Sequence, residues 1–308
     1  MLLYWDPRMR EHQTGKHPES PMRLEALGEA LEHDGWMKRS TRPAWKPATL
    51  QQLTPVHASA YLEQLPKWCE ANAGRIEADT VVSTKSYAAA TIAAGAACDA
   101  VEKVIQGDDP HAFCAIRPPG HHAINKGAMG FCLLNNVAIA AHRALQMGLE
   151  RILIVDWDVH HGNGTQDAFY RDPRVAFFSS HRFPFYPGTG KADETGEGEG
   201  LGWNVNLPLD ADSDARSVVQ KIQDLVGKLA DKRKPELILL SAGFDAHPAD
   251  PVGGLSLLEE HFEELGKWIA GLAKVHCQGR LVSLLEGGYH LDHMPSSAVA
   301  HLRGIEQA

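Results

Sequence analysis

At 308 residues and 44% hydrophobic, the chain is long enough to bury a large core, and one α/β domain over residues 1–308 is expected. Its net charge of −9 argues against direct nucleic-acid binding and suits cationic substrates, and it contains no apolar run of about 18 residues to span a membrane. The start Met-Leu-Leu-Tyr-Trp-Asp-Pro lacks the basic flank and apolar core of a signal peptide, and the five scattered cysteines (Cys69, Cys98, Cys114, Cys132 and Cys277) include no C-x-x-C pair, so a cytoplasmic protein with reduced thiols is expected.

Apolar strands alternate with helical patterns, the signature of βαβ units and a mostly parallel sheet flanked by helices. A strand is predicted at Leu2–Trp5, then helices at Met22–Glu32 and Tyr87–Ile105. The strand Ala112–Ile116 runs into a Pro-Gly loop carrying His121 and His122. Two adjacent imidazoles need partners for up to four ring nitrogens, which a packed core rarely supplies. They read as proton-transfer residues, since imidazole titrates near neutrality; a structural pair stands as the alternative.

A helix is predicted at Asn136–Met147, and the apolar strand Ile152–Asp156 empties into Asp156, Asp158 and His160. If the strand stays extended, its period of two points all three side chains to one side. Two carboxylates and an imidazole suit a divalent metal, zinc first and ferrous iron as the alternative; acids capping the next turn are the bland reading. Strands follow at Val175–Ser179 and Trp203–Leu207. Between them the Gly-rich acidic stretch Asp193–Gly202 is a surface loop, since it lacks the Lys-Ser/Thr and following helix of a phosphate loop.

A helix at Arg216–Leu229 precedes the strand Leu237–Ser241, which delivers Asp245 just past its end. Ligands of open parallel sheets collect at the carboxyl ends of strands, so Asp245 would join Asp158 and His160 if the strands neighbour each other. Three protein donors with one open position make a catalytic zinc site. His247, in a His-Pro step, is left out of the set. A helix at Leu257–Ala273 leads to the strand Leu281–Leu285 and a Gly-Gly turn that presents Tyr289, whose phenol can donate to an oxyanion.

Taken in order, these segments resemble the histone deacetylase and acetylpolyamine amidohydrolase superfamily, with its arginase-type α/β fold. The resemblance covers nearly the whole chain: His17-Pro18-Glu19, "RPPGHHA" at Arg117–Ala123, "GFCLLNNVAIAA" at Gly130–Ala141, "DWDVHHGNGTQ" at Asp156–Gln166, "FFSSHRFPFYPGTG" at Phe177–Gly190, "SAGFDAHPADPVGG" at Ser241–Gly254 and "LEGGY" at Leu285–Tyr289. The wording is nearer to class II enzymes and their bacterial relatives than to class I, where an aspartate usually stands at the position of Asn163.

The resemblance implies one catalytic zinc on Asp158, His160 and Asp245, with His122 as general acid and base, His121 assisting and Tyr289 stabilising the oxyanion. Asp156 would orient His121, and Asn163 would orient His122 while raising its basicity less than an aspartate would. Gly130, Phe131 and Tyr186 match the family's narrow channel, where simple core aromatics are the alternative. A structural potassium ion near Asp156, Asp158 and the carbonyls of His160 and Ser179 is implied as well.

The implied substrates are acetylated proteins or peptides, with acetylpolyamines and longer acyl groups as alternatives. Valine at Val252 stands where polyamine-selective relatives tend to carry an acid, although Asp250 offers another acid at the rim. A binuclear arginase-like site lacks its extra ligands here, and the intact site residues argue against a non-catalytic acyl-lysine module. No nucleic-acid or membrane partner is expected, and self-association stays open.

Overall fold

The computed structural model describes residues 1–308. Its centre is a seven-stranded sheet in which every pairing is parallel, in the order β1-β4-β9-β8-β5-β6-β7. The strands are β1 (Leu2–Tyr4), β4 (His111–Cys114), β5 (Ile152–Asp156), β6 (Val175–Arg182), β7 (Asn204–Leu209), β8 (Leu237–Ala242) and β9 (Leu281–Leu285). A two-stranded antiparallel ribbon, β2 (Gly74–Arg75) with β3 (Val81–Val82), lies outside it. All seven predicted sheet strands are present, two with the predicted bounds and the others with ends displaced by at most three residues.

Ten helices accompany them: α1 (Pro21–His33), α2 (Trp36–Arg39), α3 (Leu50–Leu53), α4 (Ser59–Glu70), α5 (Ser86–Gln106), α6 (Asn136–Gln146), α7 (Asn163–Phe169), α8 (Ala215–Arg233), α9 (Glu259–Cys277) and α10 (His293–Glu306). The five predicted helices correspond to α1, α5, α6, α8 and α9. No helix is long and apolar enough to cross a membrane.

The central strands are unbroken apolar runs because helices cover both faces, so an alternating pattern would bury polar groups. Helices α5 and α6 pack on each other and reach β4 and β8, while α8 and α9 reach β5, β6 and β8. All residues of β5, β8 and β9 are buried, within one contiguous cluster of 81 buried apolar side chains. Truncating a fully buried side chain such as Leu239 to alanine would cost about 2–5 kcal/mol in lost transfer energy and cavity.

The sheet positions the site. Register places Asp156 beside Ser241, and Ser241 beside Leu284, so the loops leaving β5, β8 and β9 emerge side by side at one edge. Their sequence order reverses across this region of the sheet, which is where a crevice opens in such folds.

Candidate active site

The predicted strand Ile152–Asp156 is present, but the condition that it stay extended through Asp158 and His160 is not met. β5 ends at Asp156, and the next residues are turns, because carboxylates replace strand partners: Asp156 Oδ1 accepts from Asp158 N (3.1 Å), and Asp158 Oδ1 accepts from His160 N (2.9 Å). Asp156 is not among the donors that converge, its carboxylate being taken by His121 Nδ1 and Asp158 N.

Asp158, His160 and Asp245 do converge: their donor atoms lie within 4.8 Å of one another and all three residues are buried. His160 Nδ1 lies 3.0 Å from Asp158 Oδ1 and 3.1 Å from Asp245 Oδ2. The remaining carboxylate oxygens accept backbone amides, Asp158 Oδ2 from Gly287 (2.8 Å) and Asp245 Oδ1 from Val159 (2.9 Å). A methyl group at Gly287 would collide with both carboxylates, so only glycine lets the turn after β9 approach this closely.

Electrostatics at this cluster call for a cation. Burial and the Asp158 charge push Asp245 up to about 7. Burial pulls His160 down, but bonds to Asp158 and Asp245 overcome it and raise the ring to about 10. No lysine or arginine pairs with either carboxylate. Two buried carboxylates held by backbone amides, with one imidazole between them, fit a divalent metal with nitrogen and oxygen preference.

Beside the cluster stand the paired histidines. His121 Nδ1 lies 2.9 Å from Asp156 Oδ2, and His122 Nδ1 lies 2.7 Å from Asn163 Oδ1. Burial depresses His121, but Asp156 and Asp158 outweigh it and raise the ring to about 10. Burial, His121 and His160 together hold His122 well below its usual value. The two rings thus carry opposite protonation states near neutrality. Asn163 accepts through Oδ1 because its Nδ2 donates to Met129 Sδ, which leaves His122 Nε2 as the unprotonated nitrogen.

Aromatic rings frame the approach. Tyr186 meets His122 edge-on at 5.2 Å, Phe131 meets Tyr289 edge-on at 5.6 Å, and Phe185 stacks on His160 at 5.3 Å. Phe131 adopts a left-handed backbone (φ 69°), secured by bonds from Gly130 N to Asp79 and from Phe131 N to Thr80 Oγ1. Val252 is partly exposed on the turn after Asp245.

One sequence expectation changes here and one omission holds. Asp250 is no rim acid awaiting a cation, because its carboxylate is buried and accepts four backbone amides: Val252, Gly253, Tyr289 and His290. His247 stays apart from the Asp158 cluster, stacked on His293 at 4.1 Å with Glu259 nearby at 3.6 Å.

Sequence reasoning missed several supports. Buried Glu286 accepts from Gly120 N (2.6 Å), His121 N (3.1 Å) and Ser241 Oγ (3.1 Å), fixing the histidine loop to the ends of β8 and β9. Arg23 of α1 donates to the carbonyls of Glu286 and Gly288 and lies over the Tyr289 ring at 4.8 Å. Arg23 and Arg117 in turn share buried Glu19. An arginine inside a helix and a glutamate after a strand carry no local signal of such distant partners.

The family model described as "Histone deacetylase domain" matches residues 17–305. The chain is 39% identical to "Histone deacetylase 14, chloroplastic" of Arabidopsis thaliana, over 99% of this chain and 76% of that protein. It is 37% identical to a "Probable deacetylase" of Archaeoglobus fulgidus, over 94% of this chain and 81% of that one. Among solved structures, "Crystal Structure of HDA15 HD domain" superposes with a TM-score of 0.94 at 35% identity, covering 99% of this chain and 87% of the other.

Proposed function

The chain belongs to the histone deacetylase domain family, a family of hydrolases, and from that premise we propose that it is a zinc-dependent deacetylase cleaving the amide of acetyl-lysine in proteins or peptides. The observation that carries this reading is the convergence of buried Asp158, His160 and Asp245 beside a neutral His122.

In this reading Asp158, His160 and Asp245 hold one zinc ion, which when bound supplies Lewis acidity toward the acyl oxygen and acidifies water. His122 Nε2 takes a proton from the attacking water and passes it to the leaving amine, a task suited to a ring whose Nδ1 proton is committed to Asn163. His121, held charged by Asp156, stabilises negative charge developing next to it.

Burial pushes the Tyr289 phenol well above its usual value, so the hydroxyl stays protonated and can donate to the oxyanion. Gly130, Phe131 and Tyr186 enclose the methylene chain of the substrate. Beside Gly130 there is no room for a side chain, since a methyl group there would strike the His122 ring.

Acetyl-lysine is preferred over acetylpolyamines because Val252 offers no charge to a distant ammonium and the carboxylate of Asp250 is fully committed to amides. A potassium ion at Asp156 and Asp158 and a cytoplasmic location belong to the same proposal; the five unpaired, buried cysteines support a reducing compartment. A panel of acyl-lysine peptides and acetylpolyamines, assayed with the zinc-loaded enzyme, tests the reading. Turnover of acetyl-lysine peptides is expected, and a zinc-loaded enzyme inert on the whole panel would overturn it.

A further inference from the structure

Asp250 lies five residues beyond Asp245, on the loop that leaves β8. Its carboxylate joins two turns of the chain that have no strand partners for their amides. Oδ1 accepts from Val252 N and Gly253 N, both at 2.9 Å, and Oδ2 accepts from Tyr289 N at 2.6 Å and His290 N at 3.3 Å. β9 ends at Leu285 and Gly288 then turns with a positive φ of 118°, so the amides of Tyr289 and His290 have no strand partner.

The Tyr289 segment is gripped from two sides. Arg23 takes the carbonyls of Glu286 and Gly288, and Asp250 takes the amides of Tyr289 and His290. Arg23 also covers the Tyr289 ring, but Asp250 is the charged side chain bonded to the residue's own backbone. Charge-assisted bonds of this kind are about twice as strong as neutral ones, and this one is shielded from water.

We propose that Asp250 is a positioning residue that sets the Tyr289 backbone, and through it the direction of the Tyr289 hydroxyl toward the reacting acyl group. This rests on the role given to Tyr289 above. Asparagine is nearly isosteric but has a single acceptor oxygen, so it can serve one of the two amide pairs while its NH₂ faces the donors of the other.

The test is a double-mutant cycle on the zinc-loaded enzyme with an acetyl-lysine peptide. Asp250→Asn is expected to lower kcat about tenfold with KM changed less than about twofold, and to leave zinc per chain unchanged. In the Tyr289→Phe background the same substitution should change kcat by less than about twofold, because the hydroxyl it positions is already gone.

An equal loss in both backgrounds, or zinc lost in step with activity, would overturn the inference. If Asp250→Asn does not fold, Asp250→Glu enters the same cycle under the same criterion, since its longer carboxylate cannot meet both amide pairs at once. Full activity in Tyr289→Phe alone would instead remove the premise about Tyr289, so the two failures read out separately.

Discussion

His121 and His122 hold their rings 4.0 Å apart, yet their Nδ1 atoms meet different acceptors, a carboxylate at Asp156 and an amide at Asn163. Neighbouring residues of one type are thereby given opposite charge states. Asn163→Asp places a negative charge 2.7 Å from His122 Nδ1 and should raise that ring's pKa from its depressed value. The neutral base form then disappears at a higher pH than in the parent enzyme. The acid limb of kcat/KM is expected to move to higher pH, and an unmoved profile would take His122 out of proton transfer.

Asp158→Ala, His160→Ala and Asp245→Ala should each lose zinc and activity together, while the fold survives because these three polar side chains lie outside the apolar core cluster. Metal analysis with circular dichroism of the purified variants measures both. Full activity in Asp245→Ala would dismiss the ligand assignment.

Tyr289→Phe should keep its zinc and lose roughly 10²-fold or more in kcat, the scale of one oxyanion donor. Steady-state kinetics alongside zinc content decide between this and a purely packing role.

Val252→Glu should shift selectivity toward acetylated spermidine and putrescine by about ten- to a hundredfold, the worth of one charge-assisted pair in a partly desolvated rim. The ratio of kcat/KM values on the two substrate classes is the measurement. A native preference for acetylpolyamines, with peptides nearly inert, would refute the substrate assignment and leave the amidohydrolase reading standing.

Glu19→Ala strands two buried guanidinium groups, since Arg117 reaches Glu19 at 2.6 Å and Arg23 at 3.3 Å. Removing one partner from such a network costs about 3–5 kcal/mol, so a large drop in denaturation midpoint is expected. A change under about 1 kcal/mol would mean that entering water and the carbonyls already bonded to the two arginines, Met9 for Arg117 and Glu286 and Gly288 for Arg23, satisfy them without the carboxylate.

The strands were legible in the sequence because burial on both faces leaves an unmistakable apolar run, as in Ile152–Val155 and Leu237–Leu240. Helices α4, α7 and α10 were not. α4 carries Pro66 in its interior, α7 starts directly after a glycine loop, and α10 opens on His-Met-Pro-Ser-Ser, all of which read locally as turn. Past the end of β5, which falls at the predicted Asp156, a continued alternation through Asp158 gives way to side-chain-to-amide bonds that periodicity does not foresee. The residue types that meet at the candidate site were visible as strand-end clusters. Their supports were not, because Arg23 and Gly288 lie 265 positions apart in the chain.

β8 and β9 are the last two sheet strands to leave the ribosome, yet they sit between β4 and β5. A nascent chain that stops short of them holds two separate fragments, β1 with β4 and β5 with β6 and β7, each exposing an unpaired apolar edge. Asp158 and His160 are then already synthesised, but Asp245, which meets them in the finished fold, is not. Translation of this chain must therefore pass through a long stage in which sticky edges wait for their partners, and truncated products should be substrates for chaperones and proteases before the Asp158, His160 and Asp245 cluster can form.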